Sequence, residues 1–480
     1  MQKCKTKLLI VTLLLLAMGA HGYAAETTST IDDQKDVAVT IYNEDLALVR
    51  DLREIALGKG RLQLALREVS ARIRPETALL RNLTNPEKLV ILEQNFDFDL
   101  LSPQKLLEKY VGREIRLVRT HPETGEDRFE TATVLAANNG IVLQVGDRIE
   151  TGVPGRLVYP NVPDNLRDRP TLVVDLINDT AATQALELSY LTGGLGWRAD
   201  YVAELGPEEN SLDLSGWVTL TNQSGTTYQN AMLQLVAGDV NRVMDEMRGR
   251  RELLMQSDVA AASAPKFQQE SLFEYHLYTL PRPTTIRDNQ TKQVALLNAA
   301  QVPVNKEFRL QGYPAYYQTR HEGLAQHIKV GVFIEFANEK QSKLGLPLPK
   351  GVVRVYKQDT AGRPQFVGED RIDHTPENET VRLKLGEAFD VTAKRKQTDF
   401  RKLGGDSLYN YRFESAFKVV LKNAKDESVK VTVAEPIPGD WKILQESHPH
   451  TKESSETALW KIDVPGKSEV VLSYRVEVNF

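Results

Sequence analysis

Five short patterns in the chain hold residue types that do chemistry. Gly405-Asp406-Ser407-Leu408 spells a nucleophile block used by lipolytic serine hydrolases. A serine in that role needs a base to take its proton, and in those enzymes a distant Asp-x-x-His supplies it. Here the block lies late and no Asp-x-x-His follows, so Ser407 reads as part of a strand-joining loop. His448-Pro449-His450 would set two imidazoles on one side of an extended segment, which is half of a metal site. Further ligands are missing from the adjoining sequence, where Glu446-Ser447 and 451–456 read as a solvated loop. Asp97 and Asp99 alternate with Phe96 and Phe98, an alignment of carboxylates that glycoside hydrolysis or calcium binding could use. With Ser102 placed to cap a helix just beyond, the phenylalanines read as anchors and the acids as facing water.

Aromatic residues make the other two patterns. Trp197, Trp217, Trp441 and Trp460 fall in or beside alternating segments and are expected in core. Gly312-Tyr313-Pro314-Ala315-Tyr316-Tyr317 has the glycine and proline of a loop. Its three tyrosines could form a protein-contact surface or pack on a neighbouring sheet. Tyr313, Tyr316 and Tyr317 are therefore the candidate site. No catalytic, cofactor-binding or metal-ligating residue is assigned, and no cofactor is expected.

The elements that must position these residues are strands. Val37, Val39 and Ile41, then Leu62, Leu64 and Leu66, alternate apolar with polar, and Gly58-Lys59-Gly60 supplies a turn between them. The same period of two recurs in 186–190, 218–220, 233–235, 429–433 and 470–478. Helical spacing is rare, the best short helix starting at Ser102-Pro103 with Leu106, Leu107 and Tyr110 on one face. A weak repeat organises the strands, each copy an alternating apolar pair followed by asparagine: Val174 to Asn178, Val218 to Asn222, Ile334 to Asn338 and Val419 to Asn423. Asparagine suits a strand end because its amide bonds to nearby backbone and it tolerates a left-handed conformation. Trp197 follows Asn178, and Trp441 follows Asn423, at nearly equal spacing, which suggests two units of related plan.

Composition bounds the class. The chain has 480 residues, 26% of them charged, and a formal net charge of -5. That is globular, not disordered or collagen-like, and long enough for about three to four domains. A mildly acidic balance gives no reason to bind nucleic acid. Lys3, Lys5 and Lys7, the apolar run from Leu8 to Ala17 and the small residues Ala20, Gly22, Ala24 and Ala25 form a secretory signal expected to end at residue 24. The run is shorter than the ~20 residues that span a bilayer, so no integral span is expected after cleavage. Cys4 is the sole cysteine and would leave with the signal. A mature chain of this kind has no disulfide, thiol nucleophile, thiolate zinc site or iron–sulfur cluster.

These readings give an all-β fold of immunoglobulin-like β-sandwich units with a small inserted β-barrel. The expected order is a signal peptide at 1–24 and a discontinuous N-terminal sandwich at 37–95 plus 170–245. The barrel occupies 96–160, a linker 246–270, a central β-rich region 271–404 and a C-terminal sandwich 405–480. The alternation from Leu472 to the terminal Phe480 is similar to the closing signal of outer-membrane barrels, but strands here are short, irregular and charged, unlike membrane strands of about 9–11 residues.

Longer motifs carry a family resemblance. Residues 42–49 (YNEDLALV), 193–201 (GGLGWRADY), 216–222 (GWVTLTN) and 235–240 (LVAGDV) resemble the secreted bacterial proteins that carry domain of unknown function 4139, some of which are mucoidy inhibitor A-like. The resemblance implies β-sandwich domains in a bacterial envelope or secreted setting and brings no catalytic residues. The mucoidy-inhibitor branch resembles a design with a long coiled coil ahead of its sandwich, whereas this chain lacks sustained heptads. The expected function is that of an exported, non-enzymatic binding or scaffold protein, periplasmic or extracellular, with an envelope protein or glycan as partner. An envelope hydrolase with a site assembled only in the fold is the alternative, and an outer-membrane barrel the third reading.

Overall fold

A computed structural model describes residues 26–43, 45–97, 99–138, 140–152, 155–163, 166–238, 267–321, 328–404, 409 and 411–480. The signal at 1–24, Phe98, residues 239–245 of the expected sandwich, 246–266 of the expected linker and the 405–408 block lie outside the described residues. The protein is all-β, and it divides into two compact units. One comprises Met1–Leu195, Thr221–Gln234 and Arg282–Gln290, the other Gly196–Leu220, Leu235–Pro281 and Thr291–Phe480.

In the first unit, alternation produces two sheets with apolar inner faces. Glu26–Ser29, Gly60–Arg67, Thr171–Asn178 and Leu89–Asp97 are neighbours in one sheet. Gln34–Ile41, Ala47–Leu57, Ala182–Thr192 and Leu79–Asn82 are neighbours in the other. Val39, Ile41, Leu64, Leu66, Val174 and Leu188 are at most 1% exposed. The buried Arg53 ties the sheets together: from Ala47–Leu57 its guanidinium donates to Asp51 at 2.8 Å and to the carbonyls of Arg67 at 2.9 Å and Ser29 at 3.2 Å.

Between Leu89–Asp97 and its sheet neighbour Thr171–Asn178 the chain leaves and returns. The excursion holds a helix, Pro103–Lys109, and a five-stranded sheet ordered Arg148–Thr151, Val142–Val145, Asp127–Ala136, Glu114–Thr120, Arg156–Val158. The Ser102 hydroxyl accepts from Lys105 N at 3.1 Å, and Pro103 fills the first turn, where a missing N–H costs nothing. Leu107 and Tyr110 pack on Ile115, Leu117, Val134 and Leu143.

The second unit holds two sheets. Gln290–Pro303, Ser211–Asn222, Leu195–Leu205, Gly351–Gln358 and Pro364–Ile372 form one in that order, Leu195–Leu205 and Gly351–Gln358 running parallel. The other has nine strands: Asp440–Glu446, Ser468–Asn479, Arg412–Asn423, Thr380–Leu403, Ile328–Ala337, Asn305–Gln311, Val429–Pro436, Thr457–Val464, Thr451–Ser454. Its two edge strands are consecutive in sequence, so residues 447–450 link the ends of a sheet folded over its own core. Trp460, Val419, Leu421, Val431, Val433, Leu472 and Val476 fill that core at 0% exposure.

Two expected boundaries differ. The break placed at 404/405 falls between adjacent antiparallel strands, Thr380–Leu403 and Arg412–Asn423, so the central region and the C-terminal strands share one sheet and one core. Residues 196–220 join the second unit because Leu195–Leu205 pairs with Gly351–Gln358. Near the end of the expected linker, Gln268–Leu272 forms an antiparallel pair with Tyr275–Thr279.

The asparagine repeat has one structural role. Asn178, Asn222, Asn338 and Asn423 each lie at or just beyond a strand end at 0% exposure. Asn222 Nδ2 donates to Thr226 O at 2.9 Å, and Asn423 Nδ2 to Glu427 O at 2.8 Å. Their Oδ1 atoms accept from Ser224 N and Lys425 N, both at 3.0 Å. Asn338 holds Leu346 O and Pro376 O, and Asn178 holds Gly58 O and Thr180 O. None of the four adopts the left-handed conformation, so amide bonding alone explains the residue type.

Candidate contact surface

The tyrosine segment follows Asn305–Gln311 directly. Gly312 N donates to Ala434 O at 2.8 Å, and a Cβ at Gly312 would collide with the Glu435 carboxylate, so glycine lets the backbone pass close. Pro314 then opens a single 3-10 turn, Pro314–Tyr317, which aims the three rings differently. Tyr317 is at 0% exposure and Tyr313 at 61%, while Tyr316 is partly buried against the core. Tyr317 thus belongs to the interior and not to a contact loop. Burial raises its hydroxyl well above the ordinary range.

Beneath the turn lies a buried charge pair. The Arg395 Nη2 donates to Glu435 Oε1, both side chains at 0% exposure. Tyr317 OH donates to Glu435 Oε2 at 2.8 Å and lies 3.0 Å from Tyr474 OH. Burial raises the Glu435 carboxyl, against the lowering pull of Arg395 and Tyr317. Arg395 Nε and Nη1 have no hydrogen-bond partner among the described residues, and the guanidinium carbon lies 4.9 Å from the Tyr316 ring centroid. A cation over an aromatic face is attracted by about 0.5–2 kcal/mol, more when desolvated, which holds Tyr316 in place. Tyr313 then meets Tyr316 edge-on at 5.7 Å and 83°, and His321 meets the same ring at 5.8 Å and 86°. The result is an exposed aromatic edge mounted on a buried ionic frame.

The other sequence candidates are held in structural contacts. Asp97 accepts from Arg167 Nε at 3.0 Å, and the same guanidinium grips Glu26 at 2.7 Å, lowering the Glu26 carboxyl. Asp99 pairs with Lys109 at 2.8 Å, whose hydrogen bond lowers it. The two acids thus answer different cations and do not converge. His448 Nδ1 lies 2.9 Å from Ser447 Oγ. His450 is 2.9 Å from Glu446 Oε2, with Trp441 and Trp460 each at 5.8 Å between ring centroids. The imidazoles therefore have separate partners, and among the described residues no group of three His, Cys, Asp or Glu could hold a metal. Trp197 and Trp441, both at 6% exposure, and Trp460 at 0% are core, and Trp217 is half-buried.

Sequence reasoning missed Arg395 and Glu435. The signal was present, since Arg395 continues Val391 and Ala393 in phase and Glu435 continues Val431 and Val433. A charge in phase with a buried stripe is either at a strand end or paired. Comparison with curated proteins gives no match. Residues 186–480, more than half of the chain and including the whole tyrosine turn with its ionic frame, match the family model described as a domain of unknown function (DUF4139), and the chain belongs to that family.

Proposed function

We propose that the protein is exported to the bacterial envelope and acts there as a non-enzymatic binding or scaffold protein, docking an envelope protein on the Tyr313–Tyr316 edge. The observation that carries this reading is Tyr313, 61% exposed yet positioned by a ring that Arg395 fixes from below. A side chain already held in place loses little freedom on docking, and tyrosines are frequent anchors of protein interfaces. Two rings meeting at 83° present no continuous flat face for a sugar, which favours a protein partner over a glycan. The lysine-flanked apolar segment at residues 3–17 supports export.

Crosslinking the full protein to isolated envelopes tests the reading. Tyr313→Ala should lower the yield of the specific adduct at least tenfold with an unchanged melting temperature. Equal yield from this variant would overturn the docking site, and envelope material whose N-terminal sequence still begins at Met1 would overturn processing by a signal peptidase.

A further inference from the structure

Two β-bulges meet in the second unit. Along Gly351–Gln358 and Pro364–Ile372, Val355 pairs with Gly368 and Tyr356 with Phe366, so Val367 is the extra residue. Along Ile328–Ala337 and Thr380–Leu403, Val332 pairs with Gly386 and Phe333 with Lys384, so Leu385 is the extra one. A Cβ at Gly368 would collide with the Leu385 carbonyl, so the two bulges abut. Bulges turn side chains out of the regular ladder and recur beside functional sites. Here both extra residues line one cleft of about 200 Å³, whose other apolar walls are Leu205, Val332 and Ile334. A cavity of roughly 150 Å³ already holds a benzene ring.

Charged groups also line this cleft. Lys306 Nζ and Lys357 Nζ each lie 2.5 Å from a different oxygen of one carboxylate, Glu209. Glu209 adopts φ +56° in the turn closed by Gly206 and Ser211, a left-handed conformation that is costly for a non-glycine residue and tends to be kept at functional sites. Although burial opposes it, the two lysines lower the Glu209 carboxyl to about 2, so the group stays charged at neutral pH. The remaining lining carboxylate, Glu387, is paired with Lys329 at 2.8 Å. At the Glu209 end of the cleft two lining ammonium groups share one carboxylate and leave one positive charge beside the apolar floor, while Glu387 is answered by Lys329 from outside the lining.

We propose that this cleft binds a small amphiphile with a single anionic head, a medium-chain or aryl carboxylate. The tail lies against Val332, Ile334, Val367 and Leu385, and the head sits on Lys306 and Lys357. An apolar pocket with a few convergent polar groups is the usual form of a small-molecule site, and the surplus charge selects the sign of the head.

Titration calorimetry of the full protein with octanoate tests this, with octan-1-ol as the uncharged comparator. Octanoate should saturate a single site, and octan-1-ol should bind at least tenfold more weakly. Val367→Trp, which fills the cleft from a partly exposed position, should abolish octanoate binding. Lys357→Met leaves Glu209 paired with Lys306 and should weaken octanoate at least tenfold while leaving octan-1-ol unaffected. Octanoate that fails to saturate, octan-1-ol that binds equally well, or octanoate affinity unchanged by Lys357→Met would each overturn the proposal.

Discussion

Asn423→Ala removes a side chain with four bonds to one corner of the nine-stranded sheet. Its amide donates to Glu427 O at 2.8 Å, Val464 O at 3.1 Å and Pro465 O at 3.2 Å, and accepts from Lys425 N at 3.0 Å. Each neutral bond nets about 1 kcal/mol, and each partner left dry costs about 1–3. Two of the bonded carbonyls belong to the exposed residues Glu427 and Pro465, where water can replace the amide. Val464 O keeps a bond from Ser428 Oγ at 3.3 Å. The expected loss is therefore about 2–4 kcal/mol, far below the sum of four full penalties. In a unit of this size that lowers the melting temperature by roughly 4–16 °C, measurable by calorimetry. Asn423→Asp separates two explanations. If the residue matters only as a turn former, aspartate replaces it, because both side chains make the same local turn. If the donated bonds matter, aspartate sets a carboxylate oxygen against carbonyl oxygens and is at least as destabilised as alanine. An Asn423→Asp protein melting within about 2 °C of wild type would refute the reasoning.

Arg395→Met strands the Glu435 carboxylate at 0% exposure and should cost about 3–5 kcal/mol in denaturant unfolding. Arg395→Met/Glu435→Leu should recover most of that, and a double variant as unstable as the single one would contradict the frame. For Glu209 the folded carboxyl is at about 2 against an ordinary 4.5, so its contribution is fully present above pH 4.5 and is lost as pH falls toward 2. Glu209→Gln should show a shallower fall of melting temperature across that window, and parallel curves would count against the lysine pair as the cause.

What was legible in the sequence follows the length scale of each signal. Alternation is local, and it marked the inner faces of Ser468–Asn479 and Val429–Pro436 correctly, since Leu472, Val476, Val431 and Val433 are all at 0% exposure. The asparagine repeat was legible through the local part of its bonding, Asn222 to Ser224 and Thr226 and Asn423 to Lys425 and Glu427, while its bonds from Asn178 to Gly58 and from Asn338 to Pro376 were not. Neighbour choice is not local. Nothing in 305–311 says that it pairs in parallel with 429–436, although this pairing joins the central region to the C-terminal strands. Period two fixes which face is buried and leaves open which strand lies alongside.

The candidate sites obey the same limit in two ways. Glycine and proline identified the turn at 312–317, yet its interior ring could be assigned only once Glu435 and Tyr474 were known to lie beneath it. The cleft depends on bulges, and a bulge is a property of two strands: Val367 and Leu385 are extra only relative to the partners that skip them. Single-strand periodicity would give these residues an ordinary place in the ladder, because inserting one residue shifts the phase without changing composition. The bulge does leave a mark in burial, although the buried positions keep the same parity on either side of it. Within Thr380–Leu403, Val381 and Leu383 are buried at odd positions and so are Val391, Ala393 and Arg395, but 385–390 between them hold no buried residue. That interruption is one of burial and not of sequence, since Leu385 and Phe389 keep the odd apolar positions, and Gly386 alone is the sequence trace of a backbone diverted to lining a cleft.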